Sequence, residues 1–146
     1  MKKLICFTTI LIVIFSCKAR LNSLIEKDFN NPIFNSEIGD ITTYSDAFNI
    51  LNYSINEDLL VLDISYVGGC KQHTFKLIGS PYISKSLPPI RQVKLIHNSN
   101  GDTCNNKILK TIKINLKPLA YQMNKPGEIY LQCDSWNQKL LYKSNN

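Results

Sequence analysis

Both histidines of this chain lie in two short segments that also contain two of its five cysteines. Cys70 and His73 have two residues between them, and His97 and Cys104 have six. Thiolate and imidazole both suit zinc and copper, so these residues are candidate ligands of a metal site. Each segment begins or ends at the border of a predicted strand. If the flanking strands are neighbours, the four side chains converge at one end of the domain.

A disulfide between Cys70 and Cys104 is the competing interpretation, and it is the one we favour. Two cysteines at strand ends in an exported domain are typical disulfide partners. Closing a loop of about 35 residues stabilises a fold by about 4 kcal/mol in the chain-entropy model. Cys133 then remains as a small core residue, although the sequence does not exclude its pairing with one of the other two.

Two further alternatives involve Asp102. In the first, the disulfide coexists with a metal bound by His73 and His97, with Asp102 as the nearest third ligand. In the second, the alternating oxygen side chains of residues 98–102 begin a calcium loop, although the distal glutamate and preceding helix of an EF-hand are missing. The Asn-Gly pair at 100–101 is more typical of a turn. We therefore expect no cofactor, with zinc or copper as the alternative.

The sequence lacks the motifs of the common catalytic classes. It contains no Gly-x-Ser-x-Gly elbow, no paired-carboxylate motif and no glycine-rich loop that leads into a helix. Cys70 and His73 form a conceivable nucleophile and base, but residues three apart in a strand point to opposite faces. Apart from Lys2 and Lys3, the Lys and Arg residues are scattered singly, without the basic stripe of a nucleic-acid binder. We expect a non-catalytic binding or structural module of unknown ligand. The alternative is a metal-binding or redox protein that uses Cys70, His73, His97 and Cys104.

The amino terminus has the parts of an export signal. Lys2 and Lys3 precede an apolar run at residues 4–15, which is too short to span a bilayer but has the length of a signal-peptide core. Residues 14–17, Ile-Phe-Ser-Cys, resemble the lipobox of bacterial lipoproteins. The resemblance implies cleavage before Cys17, diacylglycerol on its thiol and acylation of its new amino group. Several acyl chains make an effectively permanent membrane anchor.

The lipobox resemblance also implies a location. Residues 1–16 are then the signal peptide, and the mature chain is held to a membrane by the lipid on Cys17. Residues 18–20, Lys-Ala-Arg, lack the acidic cluster that resembles a surface-export signal in some Gram-negative lipoproteins. We therefore expect an outer-membrane protein of the cell envelope that faces the periplasm, which is an oxidising compartment.

The mature chain is expected to form one all-β domain. Residues 17–38 are predicted to be a lipidated tether and lead-in, and residues 39–146 a single domain. No segment after residue 32 sustains a helical period for three turns. About seven short strands are predicted, at residues 47–52, 59–67, 74–78, 90–97, 108–116, 129–131 and 140–142. They predict a small antiparallel, Ig-like β-sandwich, with a small β-barrel as the alternative.

The two Cys/His segments also resemble a pattern in small lipoproteins of Bacteroidota-type bacteria. These carry Gly-Gly-Cys-x2-His-x-Phe-x-Leu and then His-x2-Asn-x-Asp-x-Cys. The matching residues here are Gly68, Gly69, Cys70, His73, Phe75 and Leu77, followed by His97, Asn100, Asp102 and Cys104. The resemblance covers about residues 60–120, and it implies no particular activity, ligand or partner.

Overall fold

The computed structural model describes residues 32–123, 125–136 and 139–144. Cys17, the predicted signal peptide and the greater part of the predicted tether lie outside these residues. Within the described ranges, no helix has both the length and the apolar character that crossing a bilayer requires.

Strands dominate the described part of the chain. In chain order they are β1 (Ile33–Ile38), β2 (Asn49–Asn56), β3 (Leu59–Gly68), β4 (Thr74–Ile83), β5 (Ile90–Asn98), β6 (Asn106–Asn115), β7 (Gln122–Met123), β8 (Lys125–Pro126), β9 (Glu128–Gln132) and β10 (Leu140–Lys143). Eight of them form one sheet in the order β10-β9-β5-β4-β1-β6-β3-β2, and β7 pairs with β8 alone. A short 3-10 helix, Lys117–Leu119, follows β6. The all-β prediction is confirmed.

β1 connects two layers of this sheet. Its first three residues pair in parallel with the end of β6, and its last three pair in parallel with β4. Ser36 stands at the crossing, because its backbone is in register with Leu77 of β4 while its hydroxyl donates to the Asn115 carbonyl of β6 at 2.6 Å. One layer is therefore β1-β6-β3-β2, and the other is β1-β4-β5-β9-β10.

Alternating side chains of the long strands fill the space between the layers. In β3, Leu60, Leu62 and Ile64 are fully buried. Leu60 and Leu62 are in register with Ile114 and Ile112 of β6, which are also fully buried. A two-residue period on both strands places all five apolar side chains on one face, as the sequence predicts.

The outermost strands of the two layers approach each other through side chains. Tyr142 of β10 donates a hydrogen bond of 2.6 Å to Asp58 in the β2–β3 turn. The ring of Tyr53 in β2 lies 6.1 Å from that of Trp136, which precedes β10. These contacts bring the open edges together, so the sheet is nearly barrel-shaped, as in the alternative prediction.

Three features of the sheet differ from the prediction. β1 was not predicted, because its only buried residue is the polar Ser36 and it has no apolar alternation. β2 extends to Asn56 instead of ending at Asn52. β1–β4, β1–β6 and β5–β9 are parallel pairs, whereas the other pairs of the eight-stranded sheet are antiparallel. β5 and β9 are parallel because the chain crosses to the other layer through β6 before it returns.

Truncation of a core side chain tests this division between buried and exposed faces. We expect Leu62→Ala to lower the free energy of unfolding by about 2–5 kcal/mol, because the site has no solvent access. Leu109→Ala, on the outer face of β6 where the leucine is 68% exposed, should change it by no more than about 0.5 kcal/mol. Urea unfolding followed by circular dichroism measures both, and equal losses would contradict the assignment of faces.

Candidate functional site

The predicted Cys/His residues meet where the chain passes twice between the layers. The β3–β4 connection and the β5–β6 connection lie at the same end of the fold, because β3 pairs with β6 and β4 pairs with β5. Cys70 and Cys104 form a disulfide across these connections, with Cα atoms 5.8 Å apart. We call Cys70, His73, His97, Asp102 and Cys104 the Cys/His cluster.

Asp102 lies at the centre of this cluster. One carboxylate oxygen, Oδ2, accepts hydrogen bonds from the backbone N–H groups of Gly69, Cys70 and Lys71, each at 2.9 Å. The other oxygen, Oδ1, accepts from the N–H of Cys104, also at 2.9 Å. The Asp102 side chain is completely shielded from solvent. A single carboxylate thus joins the two connections in parallel with the disulfide.

These donors also fix the charge of the carboxylate. The N–H groups of Cys104 and Lys71, followed by those of Cys70 and the His73 ring, hold the pKa of Asp102 far below its usual range. Hydrogen bonds to the ionised form of an acid favour that form. Asp102 is therefore a permanent anion in the folded chain.

Two glycines permit the chain to wrap around Asp102. A Cβ atom at Gly68 would lie 2.5 Å from the His73 ring and 3.0 Å from the Asp102 carboxylate. Gly69 has a φ of 115°, a conformation that side chains rarely adopt. Position 68 thus requires glycine because the His73 ring and the Asp102 carboxylate lie so close to it. Position 69 requires glycine because of its positive φ angle.

The Asn-Gly pair of the β5–β6 connection forms the predicted turn. Asn100 and Gly101 have φ angles of 52° and 65°, and the N–H of Asp102 donates to the Ser99 carbonyl at 3.0 Å. The ammonium group of Lys71 donates to the carbonyls of Asn100 and Gly101 at 3.1 and 3.0 Å. The Lys71 ammonium group thus binds the carbonyl oxygens of the turn and places a positive charge beside them. The calcium-loop alternative therefore has no support.

The two histidines extend the network into the core. His73 Nε2 lies 3.1 Å from Asp102 Oδ2, and His73 Nδ1 lies 2.8 Å from His97 Nε2. His97 Nδ1 lies 3.2 Å from the carbonyl oxygen of Ala47, in the segment before β2. Both rings are almost completely buried. The result is a continuous row of hydrogen bonds from the Asp102 carboxylate through His73 and His97 to the Ala47 carbonyl, which we call the histidine row.

The two ends of this row fix the number of protons on the rings. A carboxylate and a carbonyl only accept hydrogen bonds, so His73 Nε2 and His97 Nδ1 must both donate. The bond between the rings needs one further proton, which gives three protons on four nitrogens and one positive charge. Burial, and then the neighbouring His73, lower the pKa of His97. The charged form of His97 is therefore disfavoured.

The fold matches that of a known protein family. The NigD-like C-terminal beta sandwich domain family matches residues 31–143 of the chain. The chain belongs to this family. The match covers all the described strands and confirms the predicted sandwich, and no curated protein matches the chain.

Two solved structures resemble the NigD-like domain of this chain. A NigD-like immunity protein from Bacteroides caccae aligns with a TM-score of 0.53 and 17% identity, over 75% of this chain and 58% of that one. A protein of unknown function from Bacteroides vulgatus aligns with a TM-score of 0.50 and 12% identity, over 80% of this chain and 57% of that one. The chain thus spans less than three fifths of each relative, and at these identities the likeness concerns the fold.

Aromatic rings enclose the histidines of the NigD-like domain. Phe75 is stacked on His97, with centroids 4.7 Å apart and an interplanar angle of 4°. Tyr66 lies against both imidazoles, with centroids 4.5 Å from His73 and 5.1 Å from His97. The rings of Phe48 and His97 are nearly perpendicular, with centroids 6.0 Å apart. This enclosure keeps water from the row of hydrogen bonds, which strengthens it.

The predicted metal ligands meet, but their donor atoms are bonded to one another. The disulfide uses both sulfur atoms, and each ring nitrogen already has a partner. The sulfurs of Cys70 and Cys104 lie within 4.8 Å of an Asp102 oxygen, a grouping that fits a metal only if the disulfide is broken. The four-ligand set of Cys70, His73, His97 and Cys104 is therefore not formed in the disulfide-bonded chain.

The remaining cysteine has a separate place in the fold. Cys133 directly follows β9, and it is free and only 3% exposed. Its side chain belongs to the apolar core between the layers. Its environment is that of a small hydrophobic residue. The alternative in which Cys133 replaces one disulfide partner is therefore wrong.

Sequence analysis identified the members of the Cys/His cluster but not its centre. Asp102 was considered only as a metal ligand, whereas it binds the backbone of the opposite connection. The Gly-Gly-Cys sequence could have predicted this role of Asp102, because such a turn exposes consecutive N–H groups that bind an anion. Tyr66 and Ala47 gave no signal, because their roles depend on the tertiary fold.

Acid sensitivity tests the role of Asp102. Its pKa is lower in the folded chain than the ordinary 3.8, so the stability it confers is present above about pH 4 and is lost as the pH falls further. We expect Asp102→Asn to lower the melting temperature at pH 7 by several degrees and to flatten the decline of stability below pH 4. Asp40 and Asp46, whose pKa values are also lowered, should supply the remaining slope.

Thermal unfolding between pH 2 and 7 measures this effect. Asp134→Asn is the matched control, because Asp134 is exposed and lies outside the cluster. If both variants had the same melting temperature and the same pH profile, the proposed role of Asp102 would be wrong.

Proposed function

We propose that this chain is a cell-envelope lipoprotein, anchored through Cys17, whose NigD-like domain is a non-catalytic module that binds a partner protein. The membrane anchor rests on the lipobox resemblance. The binding role rests on the geometry of the Cys/His cluster and on the family. The Bacteroides caccae relative is described as an immunity protein, and we extend a protective, partner-binding role of that kind to this chain.

The observation that carries the non-catalytic role is the internal saturation of the cluster. Each ring nitrogen of His73 and His97 and each oxygen of Asp102 has a hydrogen-bond partner within the chain. A general base needs a free lone pair within reach of a substrate, and a cysteine nucleophile needs a thiolate. The cluster has neither, so its chemistry serves to hold the two connections in place.

The same saturation favours recognition by a fixed surface. The disulfide, the Asp102 hydrogen bonds and the histidine row all constrain the end of the sandwich at which two connections meet. Preorganised surfaces bind with a smaller entropic cost than mobile ones. An envelope protein with a rigid, disulfide-bonded end is suited to bind a partner outside the cytoplasm.

The lipid anchor is tested by metabolic labelling with radioactive palmitate. Wild-type protein should incorporate label and sediment with the membranes, because the acyl chains bury many methylene groups in lipid. Cys17→Ala should abolish the label and prevent processing of the precursor. Cys6→Ala is the matched control, since Cys6 lies within the predicted signal peptide and should not alter labelling.

Two results would count against this function. Equal labelling of wild-type protein and Cys17→Ala would remove the anchor. Turnover of a substrate that disappeared in a folded His73→Gln variant would contradict a non-catalytic module.

A further inference from the structure

Arg91 is a buried cation at the end of the sandwich opposite the Cys/His cluster. It is the second residue of β5 and only 8% exposed. Along β5 it alternates in step with Val93, Leu95 and His97, so its side chain points into the space between the layers. Burial lowers the pKa of Arg91, but a guanidinium group remains protonated in proteins. The fold thus encloses a permanent positive charge at this end.

The local structure makes room for the Arg91 side chain. A Cβ atom at Gly79 of β4 would lie 2.9 Å from Arg91 Cδ and 2.7 Å from a methyl carbon of Leu119. The β4–β5 ladder is interrupted between Gly79 and Ile83, and Arg91 Nη1 donates to the Ser80 carbonyl within this interruption. Both the glycine and the irregular strand are therefore fitted to the guanidinium group.

This buried cation has no anionic partner in the described part of the chain. Arg91 forms no ion pair with any residue there. Its Nε is buried and has no hydrogen-bond partner there. Buried charges and buried N–H donors are normally paired, because an unpaired one destabilises the fold. An anion supplied by another molecule would remove this cost.

The edge of the guanidinium group that Ser80 does not use fits a carboxylate. Nη1 is the nitrogen that donates to Ser80. Nη2 lies on the same side of the group as the Nε hydrogen, so Nε and Nη2 present two parallel N–H groups. Such a pair binds both oxygens of a planar carboxylate at once. The shape of this edge therefore favours a carboxylate over a single neutral acceptor.

The surface at this end of the fold offers further contacts to a protein. Cδ1 of Ile38 lies 3.5 Å from the same Cβ position at Gly79, and Ile38 is 42% exposed. Tyr82 at the end of β4 and Leu87 in the β4–β5 connection are 83% and 98% exposed. Tyrosine and arginine are the residue types most often found at the energetic centre of protein interfaces. This surface therefore suits a partner protein better than a small ion.

We propose that Arg91 binds the carboxylate of an aspartate or glutamate side chain of the partner protein. The inference rests on the proposed function and names the chemistry of the contact. One carboxylate oxygen accepts from Nε and the other from Nη2, while Nη1 remains bonded to Ser80. Side chains at the surface change rotamer to admit the carboxylate, as is common when proteins bind. The partner then covers Tyr82 and Leu87.

Side-chain NMR tests the contact at the atom concerned. The chain has two arginines, Arg20 and Arg91, so Arg20→Lys assigns the Nε–H signal of Arg91. The full chain in detergent micelles is titrated at constant ionic strength with the Nα-acetyl methylamides of glutamate and glutamine. We expect the glutamate compound to shift this signal saturably and the uncharged glutamine compound to bind at least about tenfold more weakly. Equal binding of the two compounds, or no shift with glutamate, overturns the inference.

Two variants locate the site, with binding followed by the amide signals of Ile83 and Leu131, which are in register with residue 91. Arg91→Lys keeps the charge but loses the paired N–H groups, and it should weaken binding of the glutamate compound about tenfold. Arg91→Met should abolish saturable binding. Lys85→Met, at an exposed lysine of the β4–β5 connection, is the matched control and should have no effect. Unchanged affinity in both Arg91 variants, or an equal loss in Lys85→Met, overturns the proposed site.

Acetate and inorganic phosphate probe a small-molecule source of the anion. If either binds more tightly than the glutamate compound, the site takes a small anion and a side chain of the partner is excluded. This failure is distinguishable from failure of the proposed function, because palmitate labelling and membrane sedimentation do not depend on Arg91.

Discussion

A single buried carboxylate organises the end of this sandwich. Asp102 accepts four backbone N–H groups and the His73 ring, and all its donors apart from Cys104 come from the β3–β4 connection. A buried charge is tolerated only when it is fully hydrogen-bonded, so the connection must keep its shape for the anion to be stable. The glycines before Cys70 follow from this requirement, and the disulfide to Cys104 holds the same two connections together.

This constraint links the fold to the proposed role. The two connections carry the chain between the layers, so the bonds of Asp102 and the disulfide hold the layers together at this end. The histidine row continues the constraint to Ala47, before the edge strand β2. The cysteines, histidines and aspartate whose types suggest catalysis are therefore bonded to one another or to the backbone.

The sequence predicts those elements best whose structure depends only on residues that are close together in the chain. Alternation predicted β3 and β6, and the Asn100-Gly101 turn followed from glycine's tolerance of positive φ. β1 lacks apolar alternation because it lies at the junction of two layers, which no local pattern records. The saturation of His73 and His97 likewise depends on strand neighbours distant in sequence. The disulfide was favoured over a metal because export makes oxidation the simpler outcome.

Hydrogen exchange at the β3–β4 connection tests the central role of Asp102 most directly. Gly69, Cys70 and Lys71 are exposed residues outside any strand, so their amide hydrogens should exchange rapidly unless the carboxylate holds them. We expect slow exchange at all three amides in the disulfide-bonded protein, approaching that of the β3 core. Rapid exchange at these amides, while the β3 amides remain protected, would contradict it.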